Sequence, residues 1–357
     1  MAPLTRQLEF TFHETAASLE SVLGKPSSAI EALASSCDAG TAYEVGVLSI
    51  RRKLRVIRVP ERELDAVHRR INMFLFPVDL SMNPHAHGYV ARRSTLSNAS
   101  PHVGATFLQK FDVKDFFSSV SREQIAGALT RIGLGQDAAQ LLSRLVTCQG
   151  ELPLGARTSP RISNLVLADF DESIGAVASD AGLTYTRYAD DLTFSSQSAF
   201  DVSHEVRTQL ELRGFELNLA KSKSFRYGQP MFVTGLSISD KTRARVRKRF
   251  KSRLRKEFYF VEKFGIEGHA EAIDEDEHHA SARIMGQFHY VRAIEPDFAA
   301  KLAATYPTAF QTLIPERYDD RIARVQRKRD EFLTDVARQP GLHLPVYLPT
   351  TPLTVGR

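Results

Sequence analysis

Apolar positions along this chain recur with two different periods, and the switches between them mark out its elements. Residues 43–50 and 54–59 read as strands, the second alternating basic with β-branched side chains up to Pro60, across a basic turn at Arg51, Arg52 and Lys53. Leu64, Val67, His68, Ile71 and Phe74 then return at helical spacing, which predicts a helix over residues 61–76 and makes His68 a packing histidine. Residues 106–113 read as a strand carrying Asp112 near its end. Ser121 with Gln124 forms a capping box that opens a helix stopping near Gly133. Ser159 as N-cap and Pro160 at the first helical position start another, with Ile162, Leu165, Phe170, Ile174 and Val177 as its buried stripe to about residue 179. Two β-rich runs within residues 183–195 flank Ala189, Asp190 and Asp191, which predicts a hairpin with carboxylates on its tight turn. A helix over residues 203–213 closed by Gly214, a strand at 215–219 and a hairpin arm at 232–238 follow, then helices at 280–303 and 315–336 and an extended, Pro-rich end.

A chain of 357 residues can bury a large core and suggests two or three domains, and 43% hydrophobic with 25% charged residues is a soluble globular composition. The net charge of +5 favours a polyanionic partner. Cys37 and Cys148 are too few for a disulfide framework or a cysteine zinc site, so a reducing, cytoplasmic home is expected. The start lacks a basic segment followed by an apolar run, and no stretch approaches membrane-spanning length, so no membrane partner is expected.

Charge is unevenly spread. Lys241, Arg243, Arg245, Arg247, Lys248, Arg249, Lys251, Arg253, Arg255 and Lys256 crowd what reads as one helix, with Val246, Phe250, Leu254 and Phe258 as its packing stripe. Almost no acid relieves that run before Glu257, and a phosphate backbone would. The acidic stretch 265–280 reads as a solvated connector. His85, His87 and His102 lack zinc-ligand spacing, and the neighbouring Arg92 and Arg93 are better suited to phosphate. Adjacent Asp190 and Asp191 resist joint ionisation, for which a divalent cation is the usual remedy; the bland alternative is a solvated turn. Gly155 would let the backbone come close to a base or a sugar.

Together these segments resemble a reverse transcriptase of the bacterial retron and group II intron type, over roughly residues 43–300. Phe111, Asp112, Val113, Lys114, Asp115, Phe116 and Phe117 look like the first palm motif, residues 152–164 like the Leu-Pro-Gln-Gly-x-x-Thr-Ser-Pro motif, and Tyr188, Ala189, Asp190 and Asp191 like the catalytic hairpin. Residues 218–221 resemble the following lysine motif, and Arg55 and Arg93 fall where the fingers carry basic residues. Asn98 to His102 fits the Asn-Ala-x-x-His element of retron enzymes, and Val233, Thr234 and Gly235 their Val-Thr-Gly element. The chain departs from the pattern at Leu154, where glutamine is usual, and at Arg157, where proline is usual.

The resemblance implies an α+β right-hand polymerase: a lead-in over 1–42, fingers over 43–105, a palm of antiparallel sheet plus helices over 106–238, a basic helical thumb over 239–340 and a tail over 341–357. It implies that Asp112, Asp190 and Asp191, with Val113, hold two Mg²⁺ ions about 3.5–4 Å apart. Arg55, Arg93, Gly155 and Lys221 would contact the nucleotide, and Phe117 would exclude a ribose 2′-hydroxyl. Asn98, His102, Arg243, Arg247, Lys248, Lys251 and Arg255 would contact nucleic acid. The implied partners are a structured noncoding RNA serving as template and primer, its branched cDNA product, dNTPs and a separate effector protein in anti-phage defence. Another stand-alone defence or abortive-infection reverse transcriptase is the alternative within the enzymes, and a non-catalytic RNA-binding scaffold the alternative outside them.

Overall fold

The computed structural model describes residues 15–50, 53–76 and 83–313, so the expected helix at 315–336 and the Pro-rich tail lie outside the described residues. The chain divides into two compact units, Met1–Arg247 and Lys248–Arg357.

In the first unit, helices α1 (Leu19–Leu23) and α2 (Ser27–Ala39) precede an antiparallel hairpin of β1 (Tyr43–Ile50) and β2 (Lys53–Pro60). Helix α3 (Arg62–Phe74) follows as its periodicity predicts, burying Leu64, Val67, His68, Ile71 and Phe74. His68 packs as expected: a ring nitrogen lies 2.8 Å from the Leu145 carbonyl, and burial pushes its pKa down to about 4. The short helix α4 (Thr95–Ala99) runs into a 3-10 turn at Ser100–His102.

A four-stranded antiparallel sheet organises the unit. It is built from β3 (Phe107–Asp112), β4 (Thr184–Tyr188), β5 (Asp191–Ser196) and β6 (Lys223–Arg226) in the order β4-β5-β3-β6. Because side chains alternate across a strand, register decides which residues share a face. Phe111 pairs with Leu192 and Arg187 with Leu192, so these face the helical core; Lys110 and Asp112 face the other way, opposite Thr193 and Asp191. The β4 edge is covered by residues 85–87, whose backbone exchanges hydrogen bonds with Arg187: Arg187 N–H donates to His85 O at 2.8 Å and His87 N–H to Arg187 O at 2.7 Å.

Helices α5 (Phe116–Ser119), α6 (Arg122–Arg131) and α7 (Gln136–Leu145) come after β3, and the Ser121/Gln124 capping box opens α6 as predicted. The single helix expected after Ser159 is two, α8 (Ser159–Val166) and α9 (Ala168–Asp180), joined at Leu167. Ser159 is not the cap: its hydroxyl donates to Pro153 O at 2.6 Å, and Thr158 holds the N-cap position. After α10 (Ser203–Glu211), the expected strand at 215–219 is absent. Leu217 makes one bridge with Val113, and Asn218 then starts a turn whose carbonyl accepts from the N–H groups of Lys221 and Ser222. The Thr234-Gly235 turn joins β7 (Phe232–Val233) to β8 (Leu236–Ser237), both residues at positive φ as such two-residue hairpins require.

The basic run is not one helix. Asp240 accepts from Thr242, Arg243 and Arg245, and Arg245–Val246 forms β9 against β8, so Val246 packs in a sheet. The second unit opens with α11 (Lys248–Ala272), broken at Gly265, and continues with α12 (Glu277–Ile294), α13 (Pro296–Thr305) and α14 (Pro307–Leu313). In the acidic stretch Glu267, Glu271, Asp274, Asp276 and Glu277 are exposed, as a solvated connector requires, and part of it is also tied into this unit. Glu257 and Glu275 both pair with Arg283 at 2.9 Å, and Asp276 caps α12.

Behind the sheet lies a buried charge. The Arg187 side chain is fully buried and meets Asp171 of α9 with Nε–Oδ1 2.8 Å and Nη2–Oδ2 2.5 Å. It also donates to Asn164 Oδ1 at 2.9 Å and to Ala189 O at 3.0 Å, while the Tyr185 hydroxyl donates to Asp171 at 2.6 Å. Burial works against the guanidinium charge, but the Asp171 carboxylate outweighs it and leaves the Arg187 pKa above its ordinary value. Removing one partner strands the other in the core. Arg187→Met or Asp171→Leu alone should cost about 3–5 kcal/mol, and the double replacement much less, as read from urea unfolding monitored by circular dichroism.

Candidate active site

The hairpin turn places the three aspartates together. Asp112 ends β3 and is paired directly with Asp191 at the start of β5, while Asp190 sits in the two-residue turn between β4 and β5. Val113 N–H donates to Asp190 O at 3.2 Å, which ties the turn to the strand carrying Asp112. Ala189 occupies the turn at φ 58, a conformation that costs a residue with a Cβ about 1–3 kcal/mol. Two contacts hold it there: the Arg187 bond to its carbonyl, and Gly88, where an added Cβ would lie 2.5 Å from Ala189 N. Asn164 on α8 donates to Gly88 O at 2.9 Å, so the Ser-Pro helix braces the same turn.

The carboxylates burden one another. Burial first, then the charges of Asp112 and Asp191, raise the Asp190 pKa; burial also raises that of Asp191, with Asp112 adding to it and Lys110 opposing. Asp112 is 7% exposed, and its oxygens receive the Lys221 ammonium at 2.7 and 2.8 Å and the Asn218 amide at 3.2 Å. Among the described residues no three His, Cys, Asp or Glu side chains are gathered tightly enough to hold a metal ion as they stand. The donor chemistry nevertheless fits Mg²⁺: hard carboxylate oxygens, crowded and partly desolvated, with the Lys221 ammonium lying where a cation would neutralise Asp112.

A cleft of about 340 Å³ opens beside them, lined by Asp112 and Asp191 and by Lys110, Lys221, Lys223 and Arg247. Lys110 and Lys223 are direct cross-strand partners, a like-charge pair that is destabilising without an anion. Sequence reading missed Lys110 and Lys223; the signal was a lysine two residues before Asp112 in an alternating strand, hence on the same face. Tyr89 was missed too. It has φ 62, and its hydroxyl is pushed up by burial and then by the Asp190 charge, with Arg55 acting the other way.

The other expected residues divide. Arg55 is exposed on β2. Phe116 is buried in the core and packs with its ring tilted 53° against Phe117, centroids 5.5 Å apart, while Phe117 itself is only half-buried. Arg93 is anchored in the protein: its Nη1 donates to the carbonyls of Asn83, Pro84 and Ala86. Gly155 needs no ligand to explain it, since it has φ 120 and an added Cβ would lie 3.0 Å from Arg58 O. Asn98 and His102 are buried at 1% and 0% exposure, which corrects their assignment as nucleic-acid contacts. The His102 ring lies 2.6 Å from Ser195 Oγ and 2.8 Å from Thr186 Oγ1, pinning the hairpin strands, and burial pushes its pKa down to about 3.

Of the basic residues, Arg243 precedes the helix and Arg247 stacks on Phe232 at 4.0 Å while donating to Gly235 O. Lys251 is spent within the fold on Glu295 at 2.7 Å, so it is a structural cation. Lys248 and Arg255 are exposed on α11.

A divalent cation at Asp112 would compete with Lys221 for the same oxygens. Lys221→Met should therefore bind Mn²⁺ several-fold more tightly than the parent protein in the absence of nucleotide, measured by electron paramagnetic resonance of free Mn²⁺.

Comparison with known proteins gives this geometry its family. The model of the reverse transcriptase (RNA-dependent DNA polymerase) family matches residues 47–257. The retron Mx65 reverse transcriptase of Myxococcus xanthus is 33% identical over 274 residues, 70% of this chain and 60% of that protein. The retron Ec86 reverse transcriptase of Escherichia coli is 35% identical over 156 residues, 44% of this chain and 48% of that protein. The match thus spans less than two thirds of either relative's length. Among solved structures, telomerase from Candida albicans in complex with a fragment of telomeric RNA superposes with a TM-score of 0.42 at 11% identity, covering 77% of this chain and 61% of that one. With the family model spanning more than half of its length, the chain belongs to the reverse transcriptase (RNA-dependent DNA polymerase) family.

Proposed function

We propose that the protein is the RNA-directed DNA polymerase of a retron, copying part of a cognate structured noncoding RNA into branched single-stranded DNA. The observation that carries this reading is the direct pairing of Asp112 with Asp191 beside Asp190, next to a cleft whose lysines and arginine suit a triphosphate. Similarity to retron enzymes at 33% and 35% identity supports the retron assignment over another stand-alone reverse transcriptase. The reading includes a role in anti-phage defence with a separate effector protein, as the sequence resemblance implies.

Asp112, Asp190, Asp191 and the Val113 carbonyl would hold two Mg²⁺ ions. When bound, the ions supply activation of the primer hydroxyl and charge neutralisation at the leaving pyrophosphate. The chain's own part is positioning. Arg55, Lys110 and Lys223 steady the triphosphate, and Lys221 moves from Asp112 to the phosphates as they arrive. Phe117 packs under the incoming sugar and leaves no room for a 2′-hydroxyl. The buried thiols of Cys37 and Cys148 suit a reducing, cytoplasmic setting, and among the described residues no helix is long and apolar enough to cross a membrane.

Asp190→Asn combined with Asp191→Asn should abolish Mg²⁺-dependent dNTP incorporation on a primed RNA; full residual activity overturns the mechanism. Phe117→Ala should admit ribonucleotides, and unchanged dNTP selectivity in primer extension removes Phe117 as the gate. Sequencing the nucleic acid that co-purifies with the protein from its host should return a single structured RNA joined to cDNA. A heterogeneous or unlinked pool favours the other stand-alone enzymes.

A further inference from the structure

The exposed side of α11 carries more than charge. Arg249, Arg253, Lys256, Phe260, Lys263 and Phe264 are all exposed and recur every three to four residues, while Leu254, Phe258 and Val261 are buried on the opposite side. The stripe changes chemistry along its length, from cations toward the N-terminus to rings toward the C-terminus, over roughly 22 Å at 1.5 Å per residue. No exposed residue between Lys248 and Phe264 is acidic.

The rings are organised. Phe260 and Phe264 stack with centroids 6.3 Å apart and planes at 21°, and Phe260 and His269 with centroids 5.8 Å apart at 9°. His269 reaches back to Phe260 because the helix breaks at Gly265, where φ is 72 and ψ is 172. The His269 ring is then fixed from below by Glu257 at 2.6 Å, itself held by Arg283. Lys263 Nζ lies 5.0 Å from the Phe264 centroid. Phe260 is 40% and Phe264 54% exposed. One exposed phenylalanine needs no explanation, but nearly parallel rings held in place at the end of a cationic stripe present flat faces to something both anionic and planar.

We propose that Phe260 and Phe264 form a stacking platform for unpaired bases of RNA, continuous with the phosphate contacts of Arg249, Arg253 and Lys256. α11 then engages a junction at which a base-paired stem gives way to single strand. The proposal rests on the reading that the protein's partner is a structured RNA. It adds that the thumb unit selects for unpaired nucleotides beside a stem, which charge alone cannot do, because phosphates are present in both.

The test uses the full chain and two fluorescein-labelled RNA hairpins with the same stem, one blunt and one with a short single-stranded overhang carrying 2-aminopurine. The parent protein should bind the overhang hairpin about tenfold more tightly for each base stacked, and the 2-aminopurine fluorescence should change on binding. Phe260→Ala with Phe264→Ala should lose both effects while keeping the parent's affinity for the blunt hairpin and its salt dependence. The Phe260→Tyr, Phe264→Tyr protein should keep the overhang preference, which separates loss of a ring from loss of fold. An alanine protein that still prefers the overhang, or that weakens equally on both hairpins, overturns the proposal. So does an alanine protein unchanged toward RNA but altered in self-association by sedimentation, which would assign the rings to a protein contact. These measurements need neither nucleotide nor metal, so absent dNTP incorporation by the parent protein would fault the polymerase reading separately.

Discussion

The ion pair between Arg187 and Asp171 is the constraint on which the rest of the first unit depends. A guanidinium without access to water is tolerable only if its donors are met, and here they reach a carboxylate, a side-chain amide and a backbone carbonyl. Those partners come from α9, α8 and the β4–β5 turn, so one side chain fixes two helices relative to the sheet edge. The backbone of the same residue carries residues 85–87. A strained Ala189 can therefore be held in place, and with it the register that sets Asp190 next to its two neighbours.

The electrostatics of the cleft follow from the period-two geometry of strands. Lys110 and Asp112 share a face because they are two residues apart, and antiparallel pairing sets Lys223 beside the first and Asp191 beside the second. Like charges are thus placed abreast twice on one small surface, lysines at one level and aspartates at the next. Each pair is unfavourable by itself and is relieved by a ligand of opposite sign. A metal-bound nucleotide offers both signs at once. Within the protein, the Lys221 ammonium beside Asp112 lowers part of the cost.

Much of this was legible in the sequence where periodicity and chemistry coincide. Alternation around Asp190 and Asp191 gave the hairpin, the helical stripe gave α3, and Ser121 with Gln124 gave the start of α6. The failures have physical causes. Asn98 and His102 stand in a motif, but a motif does not reveal whether a polar side chain is buried; both are, and the His102 ring pins the hairpin from within. Residues 215–219 have strand composition, yet Asn218 spends its backbone on a turn. Nothing in the sequence singles out Arg187; only the position of Asp171 in space reveals its role. The run of basic residues concealed a change of element at Arg247, because Val246 finds a strand partner in Leu236.

The covered edge at β4 has a consequence for how the protein keeps company with itself. An open four-stranded sheet has two edges, each a row of backbone donors and acceptors that another chain could extend. Residues 85–87 occupy one of them. At the other, β6 carries the charged side chains of Lys223 and Arg226, a feature that disfavours pairing with a further strand. Both edges of the sheet that carries the aspartates thus bear features that disfavour edge-to-edge pairing with another chain.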